Sequence, residues 1–355
     1  MSTLDAAVHT SIEARSDARF SDVTTLRVGG PIGSLVTARS ESEIVDTVGE
    51  ADATGTPLMI LGGGSNLLVA DEGFAGTVLR IANTGIDCGD QCGGARITVG
   101  AGESWDGFVA EMIRRGYAGI EALSGIPGLV GATPIQNVGA YGQEVSQTID
   151  RVRVLDRTTH EVSDIPVKEC RFDYRTSRFK QEPDRYVVLG VVFELHRSSG
   201  SRPIKYPELA RNLDVGVGDQ AATEDVRATV LRLRAGKGMV LDPNDHDTWS
   251  AGSFFTNPIV SDEVDRSLPV EAPAFPIGPN QVKVSAAWLI EYSGFPRGYG
   301  NDRASVSGKH TLALTNRGSA KAADMVSLAR EIRDGVEAKT RIRLVPEPVL
   351  VGIDL

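Results

Sequence analysis

Residues 124–142 read SGIPGLVGATPIQNVGAYG, five glycines and two prolines set among small and apolar side chains. The stretch is too glycine-broken for one long helix or strand and too apolar for a flexible linker. Backbone of this kind lies against something. Either a ligand approaches where a Cβ would block it, or two units pack across a buried glycine-rich loop, and composition leaves both readings open. Gln136 and Asn137 add amide donors and acceptors suited to the edge of a heterocyclic ring.

Upstream, Leu35 to Ala38 reads as a strand, and Ser40 and Glu43 have the spacing of a capping box. Ile44, Val45, Val48 and Ala51 then share a helical face until Gly55 and Pro57. Leu58 to Leu61 is a compact apolar strand that turns straight into Gly62-Gly63-Gly64-Ser65-Asn66. Leu67 to Ala70 and Thr77 to Ile81 read as further strands, and Ile97 to Gly102 precedes a helix carrying Trp105, Phe108, Val109, Met112 and Ile113, ended by Gly116. Downstream, Val152 to Leu155 and Val187 to Leu195 are strands, and Arg202 to Leu209 is a loop with Tyr206 at its tip. Thr223 to Arg234, Ala286 to Tyr292 and Ser319 to Lys339 are helices, the last repeating Ala322, Met325, Ala329, Ile332 and Val336 at helical spacing. Pro346 and Pro348 are expected to end regular structure.

At 355 residues the chain exceeds the size of one ordinary core. Boundaries near 90 and 215 divide it into units 1–90, 91–215 and 216–345, with a terminal segment 346–355. With 41% hydrophobic and 24% charged residues it has a globular composition. A net charge of -10 disfavours nucleic acid and anionic membrane as partners, so an anionic ligand must meet local positive charge. The opening MSTLDAAVHTSIEARSDARF has the character of no signal peptide, and no apolar run reaches about eighteen residues; a cytoplasmic protein is expected. The three cysteines, Cys88, Cys92 and Cys170, read as reduced structural thiols, and no metal site is expected.

The Gly62 to Asn66 loop leaves a strand with N–H groups free to converge on a pyrophosphate, although it matches neither the Rossmann fingerprint nor the P-loop. An ordinary tight turn is the plain alternative. In RFDYRTSRFK, Arg171, Arg175, Arg178 and Lys180 surround Tyr174, a positive cluster able to hold a carboxylate; a solvated strand edge is the alternative. Ser253 lies in a small-residue turn before two aromatics, and Glu347 stands between two prolines that fix its backbone.

Together, LGGGSNLL at 61–68, GIPGLVGATPIQNVGAYG at 125–142, Tyr174-Arg175, AGSFFTNP at 251–258 and Pro346-Glu347 resemble the UDP-N-acetylenolpyruvoylglucosamine reductases in order and spacing. The resemblance implies an α+β fold: an FAD-binding part of the vanillyl-alcohol-oxidase type in two subdomains, plus a C-terminal α+β substrate domain whose last segment returns to the site. It implies non-covalent FAD, held by Leu61, Gly62, Gly63, Gly64, Ser65, Asn66 and Leu67 and by Ser124, Gly125, Ile126, Pro127, Gly128, Gly131, Ala132, Thr133, Gln136, Asn137, Gly139, Ala140, Tyr141 and Gly142. NADPH is the implied co-substrate, and enolpyruvyl-UDP-N-acetylglucosamine is reduced to UDP-N-acetylmuramate for peptidoglycan by a monomer. The catalytic residues it implies are Arg175, Ser253 and Glu347, with Tyr174, Tyr206, Lys237 and Asn257 at the substrate. Tyr292 departs from members that carry glutamine there, and the stretch from Lys237 to Ser253 is longer than expected. A flavin oxidase of the same superfamily and a non-catalytic flavin or sugar-nucleotide regulator are the competing readings; the AGSFFTNP run and the complete catalytic set speak against them.

Overall fold

The computed structural model describes residues 14–91 and 94–355; Cys92 and the N-terminal leader lie outside the described residues. The first sheet runs Ala14–Arg15, Ile32–Ala38, Phe74–Ile81, Leu58–Leu61, with its three longer strands parallel. Parallel neighbours need a crossover, and the helix Glu41–Thr54 supplies it. Ser40 accepts the Glu43 N–H at its start, and Gly55 ends it in the left-handed conformation. The second sheet is antiparallel, in the order Glu161–Pro166, Ile149–Asp156, Tyr186–Arg197, Gly94–Gly100, Ile86–Gln91.

The Glu41–Thr54 helix ties the two sheets together. Its Ile44 and Val48 belong to one continuous core with Ile97, Val99, Val152 and Val191 of the second sheet. On the rim, Arg153 pairs with Glu41 at 2.8 Å and Arg157 with Asp52 at 2.5 Å. The helix Trp105–Arg114 packs into the same core through Phe108, whose ring lies 5.0 Å from Phe193. Trp105 is wholly buried, and its indole N–H donates to the Leu123 carbonyl at 3.0 Å, which anchors the chain just before the glycine-rich segment.

The C-terminal part carries a three-stranded sheet, Ser250–Ser253, Ala313–Asn316, Ala304–Val306, and a smaller one formed by Ile259–Ser261, Gln281–Val284 and Ala274–Gly278. Helices Ala286–Tyr292 and Ala322–Thr340 pack on them. Leu26, Val28 and Leu68 join that core from the N-terminal side, and the buried Asn316 amide donates to the carbonyls of Leu26 and Arg27. The fold is mixed α+β, as expected.

Three local expectations are corrected. The last long helix begins at Ala322 rather than Ser319, because the Asp71 carboxylate accepts the N–H groups of Ala322 and Ala323 at 2.9 and 3.0 Å and so sets its first turn. Leu209 lies in a helix, Pro207–Asn212, since Pro207 occupies a first-turn position that needs no N–H; Tyr206 is its N-cap. Pro346 and Pro348 do not end regular structure: Val349–Val351 forms a parallel pair with Leu67–Val69. Pro346 is tolerated because the bonds on either side come from other groups, Thr256 N–H to the Val345 carbonyl at 3.0 Å and Glu347 N–H to the Phe254 carbonyl at 2.9 Å.

Asp71 joins the N-terminal part to a helix start carrying the positive end of the macrodipole. Asp71→Ala is expected to cost about 1 to 2 kcal/mol and to lower the thermal midpoint; an unchanged melt by circular dichroism overturns this anchoring role.

Candidate functional site

Two glycine loops meet edge to edge. A Cβ on Gly63 would stand 2.7 Å from the Gly128 Cα, a separation at which backbone must move, so the chains cross here only with glycine at 63, and Gly128 itself sits at φ 117°. Ser65 Oγ donates to the Pro127 carbonyl at 3.2 Å, and Asn66 Nδ2 donates to Gln136 Oε1 at 3.1 Å, which fixes the loops side by side. Among the described residues, the N–H groups of Gly62, Gly63, Gly64, Ser65 and Asn66 find no protein acceptor. A Cβ on Gly62 would meet nothing nearer than 3.8 Å. N–H groups without a protein acceptor at a glycine loop suit the oxygens of a nucleotide diphosphate.

The second component is a four-residue turn. Asp173 and Thr176 exchange backbone hydrogen bonds at 3.1 and 3.2 Å, leaving Tyr174 and Arg175 at the tip, and Arg175 has φ 53°. Asn137, itself at φ 47°, donates to the Asp173 carbonyl at 3.2 Å, and the Arg175 guanidinium donates to the Gly139 carbonyl at 2.7 Å. The glycine-rich segment therefore aims the arginine. Two other cations of the cluster turn elsewhere: Arg171 is exposed and pairs loosely with Glu182 at 4.0 Å, while Arg178 covers the Tyr186 ring and pairs with Glu182 at 3.5 Å.

Glu347 completes the group. Its N–H bonds the Phe254 carbonyl, its own carbonyl accepts from Asn66 at 3.3 Å, and the Val349 N–H bonds the Asn66 carbonyl at 2.9 Å. Its carboxylate meets Arg175 Nε at 3.2 Å with only 15% of the side chain exposed. Burial pushes the Glu347 carboxyl above the usual carboxylate range, against the opposing pull of Arg175 and Lys180. Ser253 ends the strand Ser250–Ser253, one residue before the carbonyl that holds the Glu347 N–H, and is half-buried. Tyr174 lies against Arg175, with Lys283 Nζ 4.7 Å from its ring centre; burial raises its phenol, and its hydroxyl meets Asn257. Asn257 also caps the helix Ala286–Tyr292 by accepting the Ala286 N–H at 2.9 Å.

Tyr206, 40% exposed, stands edge-on to Tyr141 with centroids 5.4 Å apart. Lys237 Nζ reaches Glu208 at 2.7 Å and lies 5.8 Å from the Tyr141 ring centre. Three residues that sequence reasoning missed join this edge. Glu208 is the counter-ion of Lys237. Arg234 lines a cleft with Pro127 and Gly252, donates to the Met239 carbonyl at 2.9 Å, and keeps its buried Nε unpaired. Its position three residues before Lys237, at one helix end, was the available signal. His310 lies in the field of Lys237, Glu208 and Arg234, and burial depresses its imidazole to about 4.

Several of the expected contact residues also make internal contacts. Leu61, Ser124 and Thr133 are buried, with the hydroxyls of Ser124 and Thr133 bonded to the carbonyls of Glu121 and Val130. A Cβ on Gly131 would strike the Ala101 Cβ at 2.5 Å. Tyr292 stacks on Trp288 at 4.6 Å, away from these groups. Cys170 is buried with its thiol pushed up to about 12, and Cys88 accepts from Arg115 at 3.1 Å. Among the described residues, no helix is long and apolar enough to cross a membrane, and no three His, Cys, Asp or Glu side chains gather as a metal site would require.

Comparison with known proteins matches residues 242–351 to the family of the UDP-N-acetylenolpyruvoylglucosamine reductase C-terminal domain and residues 33–163 to the FAD binding domain family. A reductase of that name from Streptomyces avermitilis is 54% identical over 355 residues, covering 97% of this chain and 96% of its own. One from Thermobifida fusca is 54% identical over 349 residues, covering 95% and 97%. The crystal structure of a UDP-N-acetylenolpyruvylglucosamine reductase from Thermus caldophilus aligns with a TM-score of 0.65 and 26% identity over 96% of this chain and 98% of the other.

His310 gives this edge a stability signature. Its folded pKa of about 4 lies below the ordinary 6.5, so the folded chain binds fewer protons than the unfolded one between those values. Its contribution is present above pH about 6.5 and is lost as pH falls toward 4, about 3 kcal/mol in all. Melts across that window are expected to fall less steeply for His310→Gln than for the parent; parallel curves overturn the assignment.

Proposed function

The chain is an oxidoreductase belonging to the UDP-N-acetylenolpyruvoylglucosamine reductases, and on that premise we propose that it reduces the enolpyruvyl ether of UDP-N-acetylglucosamine to UDP-N-acetylmuramate with NADPH as donor. The observation that carries the reading is the Arg175–Glu347 pair at 3.2 Å, set beside two glycine loops and next to Ser253. FAD fits the unclaimed N–H groups of Gly62 to Asn66 and the Pro127, Gly128 and Gln136 edge, with a non-covalent grip. When bound, FAD supplies hydride storage between NADPH and the sugar.

The chain's own residues then manage charge and a proton. Reduction turns the C=C double bond into a single bond and forms two C–H bonds, one hydrogen arriving as hydride and one as a proton, and negative charge develops on the carbon beside the substrate carboxylate. Arg175 holds that carboxylate through a charge-assisted fork. Glu347, its proton favoured by burial, donates a hydrogen bond where an ionised carboxylate would repel the developing charge. Ser253 delivers the proton to the carbanionic carbon and recovers one from solvent. Tyr174 and Asn257 border the sugar acid, while Tyr206 and Lys237 meet the diphosphate side. The two cofactor-holding units span 1–90 and 91–215 and the substrate unit 216–345, with 346–355 delivering Glu347. The reaction belongs to cytoplasmic peptidoglycan precursor synthesis, carried out by a monomer, and so to cell shape and division.

Anaerobic absorbance titration tests the reading. Protein carrying FAD is expected to bleach with NADPH and to regain its colour stoichiometrically with the enolpyruvyl UDP-sugar. Bleaching without recovery by the sugar overturns the acceptor, and protein that retains no FAD overturns the whole reading. Ser253→Ala is expected to bleach as the parent does, yet to regain colour roughly a hundredfold or more slowly; recovery at the parental rate removes Ser253 from the reaction.

A further inference from the structure

The Arg175 turn has a second support. Ser177 starts the short helix Arg178–Gln181 by accepting the Lys180 N–H at 3.3 Å, while its hydroxyl donates to the Ile135 carbonyl at 2.5 Å. That fastens the helix to the glycine-rich segment. From it Lys180 folds back, and its Nζ donates to the Arg175 carbonyl at 3.0 Å. The bond falls on the one residue of the turn held at positive φ, a conformation that strains a non-glycine residue. No carboxylate pairs with Lys180 at salt-bridge distance among the described residues, and the half-buried ammonium lies in the field of Glu347.

We propose that Lys180 is a positioning residue for the reaction: it locks the Arg175 turn through the backbone carbonyl and adds a second positive charge beside Glu347. The proposal rests on reading Arg175 and Glu347 as the pair that meets the substrate carboxylate. The groups facing Glu347 are Arg175 and Tyr174 from the turn and Lys180 from the helix. Lys283 stands behind Tyr174, and Glu144, engaged by the Asn137 amide at 2.9 Å, lies behind Gly139. Arg175 and Lys180 both draw the Glu347 carboxyl downward against burial, so removing Lys180 moves its titration upward. A reaction that needs protonated Glu347 loses rate as pH rises, and its alkaline limb moves the same way.

Lys180→Met and Lys180→Arg separate this role from plain packing. For Lys180→Met, kcat for sugar reduction is expected to fall roughly tenfold to a hundredfold, as misplacement of a catalytic group does, with the thermal midpoint little changed. The Glu347 midpoint, followed by carboxyl 13C NMR and assigned with Glu347→Gln, and the alkaline limb of kcat are both expected to move to higher pH. Lys180→Arg is expected to recover most of the rate and to restore the midpoint. An unmoved Glu347 midpoint in Lys180→Met overturns the proposal, as does a rate loss matched by a lowered melt that Lys180→Arg does not repair. If Glu347→Gln keeps both rate and alkaline limb, the role given to Glu347 falls and this proposal with it. If Glu347→Gln abolishes the rate while Lys180→Met leaves limb and midpoint in place, only the role of Lys180 falls.

Discussion

The site depends on one backbone pairing, the parallel contact of Val349–Val351 with Leu67–Val69. One strand leaves the first glycine loop directly, and the other follows Glu347. Register between them decides where the carboxylate stands, because a one-residue slip in a strand reverses every side chain. The bonds of Asn66 with Val349 and with the Glu347 carbonyl hold that register at the loop itself. The antiparallel bridge of Phe255 with Pro346, flanked by the Glu347 N–H bond to the Phe254 carbonyl, brings Ser253 alongside. The first glycine loop, Ser253 and Glu347 are thus fixed by a few main-chain hydrogen bonds, which keep their geometry better than long side chains do.

The chain invests stability in this arrangement. Holding the Glu347 carboxyl largely out of water beside Arg175 costs desolvation, and Asn137, Tyr141 and Arg175 all occupy positive φ within the arrangement. Such strain persists only where surroundings over-determine it. Here the surroundings are the large shared core under the two sheets, the wholly buried Trp105 that anchors the start of the glycine-rich segment, and the Ser177 bond to Ile135.

Much of this was legible in the residues. Local signals placed the Glu41–Thr54, Thr223–Gly236 and Ala286–Tyr292 helices to within two residues, since their caps and faces are written nearby. The glycine loops announced themselves by composition, and motif order carried the family. What stayed illegible depends on distance along the chain. Nothing near Asp71 says that it caps a helix at Ala322, and nothing near Pro346 says that its missing N–H faces an unbonded position. The Glu208 partner of Lys237 and the buried Arg234 likewise lack a local pattern strong enough to single them out. Lys180 stood in a visible cluster, but nothing local says that it and Arg175 turn toward Glu347 while Arg171 and Arg178 turn toward Glu182.

The crossing of Gly63 and Gly128 has a consequence for how such a site changes over generations. A bulkier core residue can be offset by a smaller neighbour, so cores drift through paired substitutions. No side chain is smaller than glycine's hydrogen, and at 2.7 Å from the opposing Cα the new atom meets main chain rather than a movable group. A change at Gly63 therefore has no second-site suppressor across the contact, while Gly128 is held to glycine by its φ of 117°. The two loops are locked together historically as well as mechanically, and variation in this protein must flow around that point.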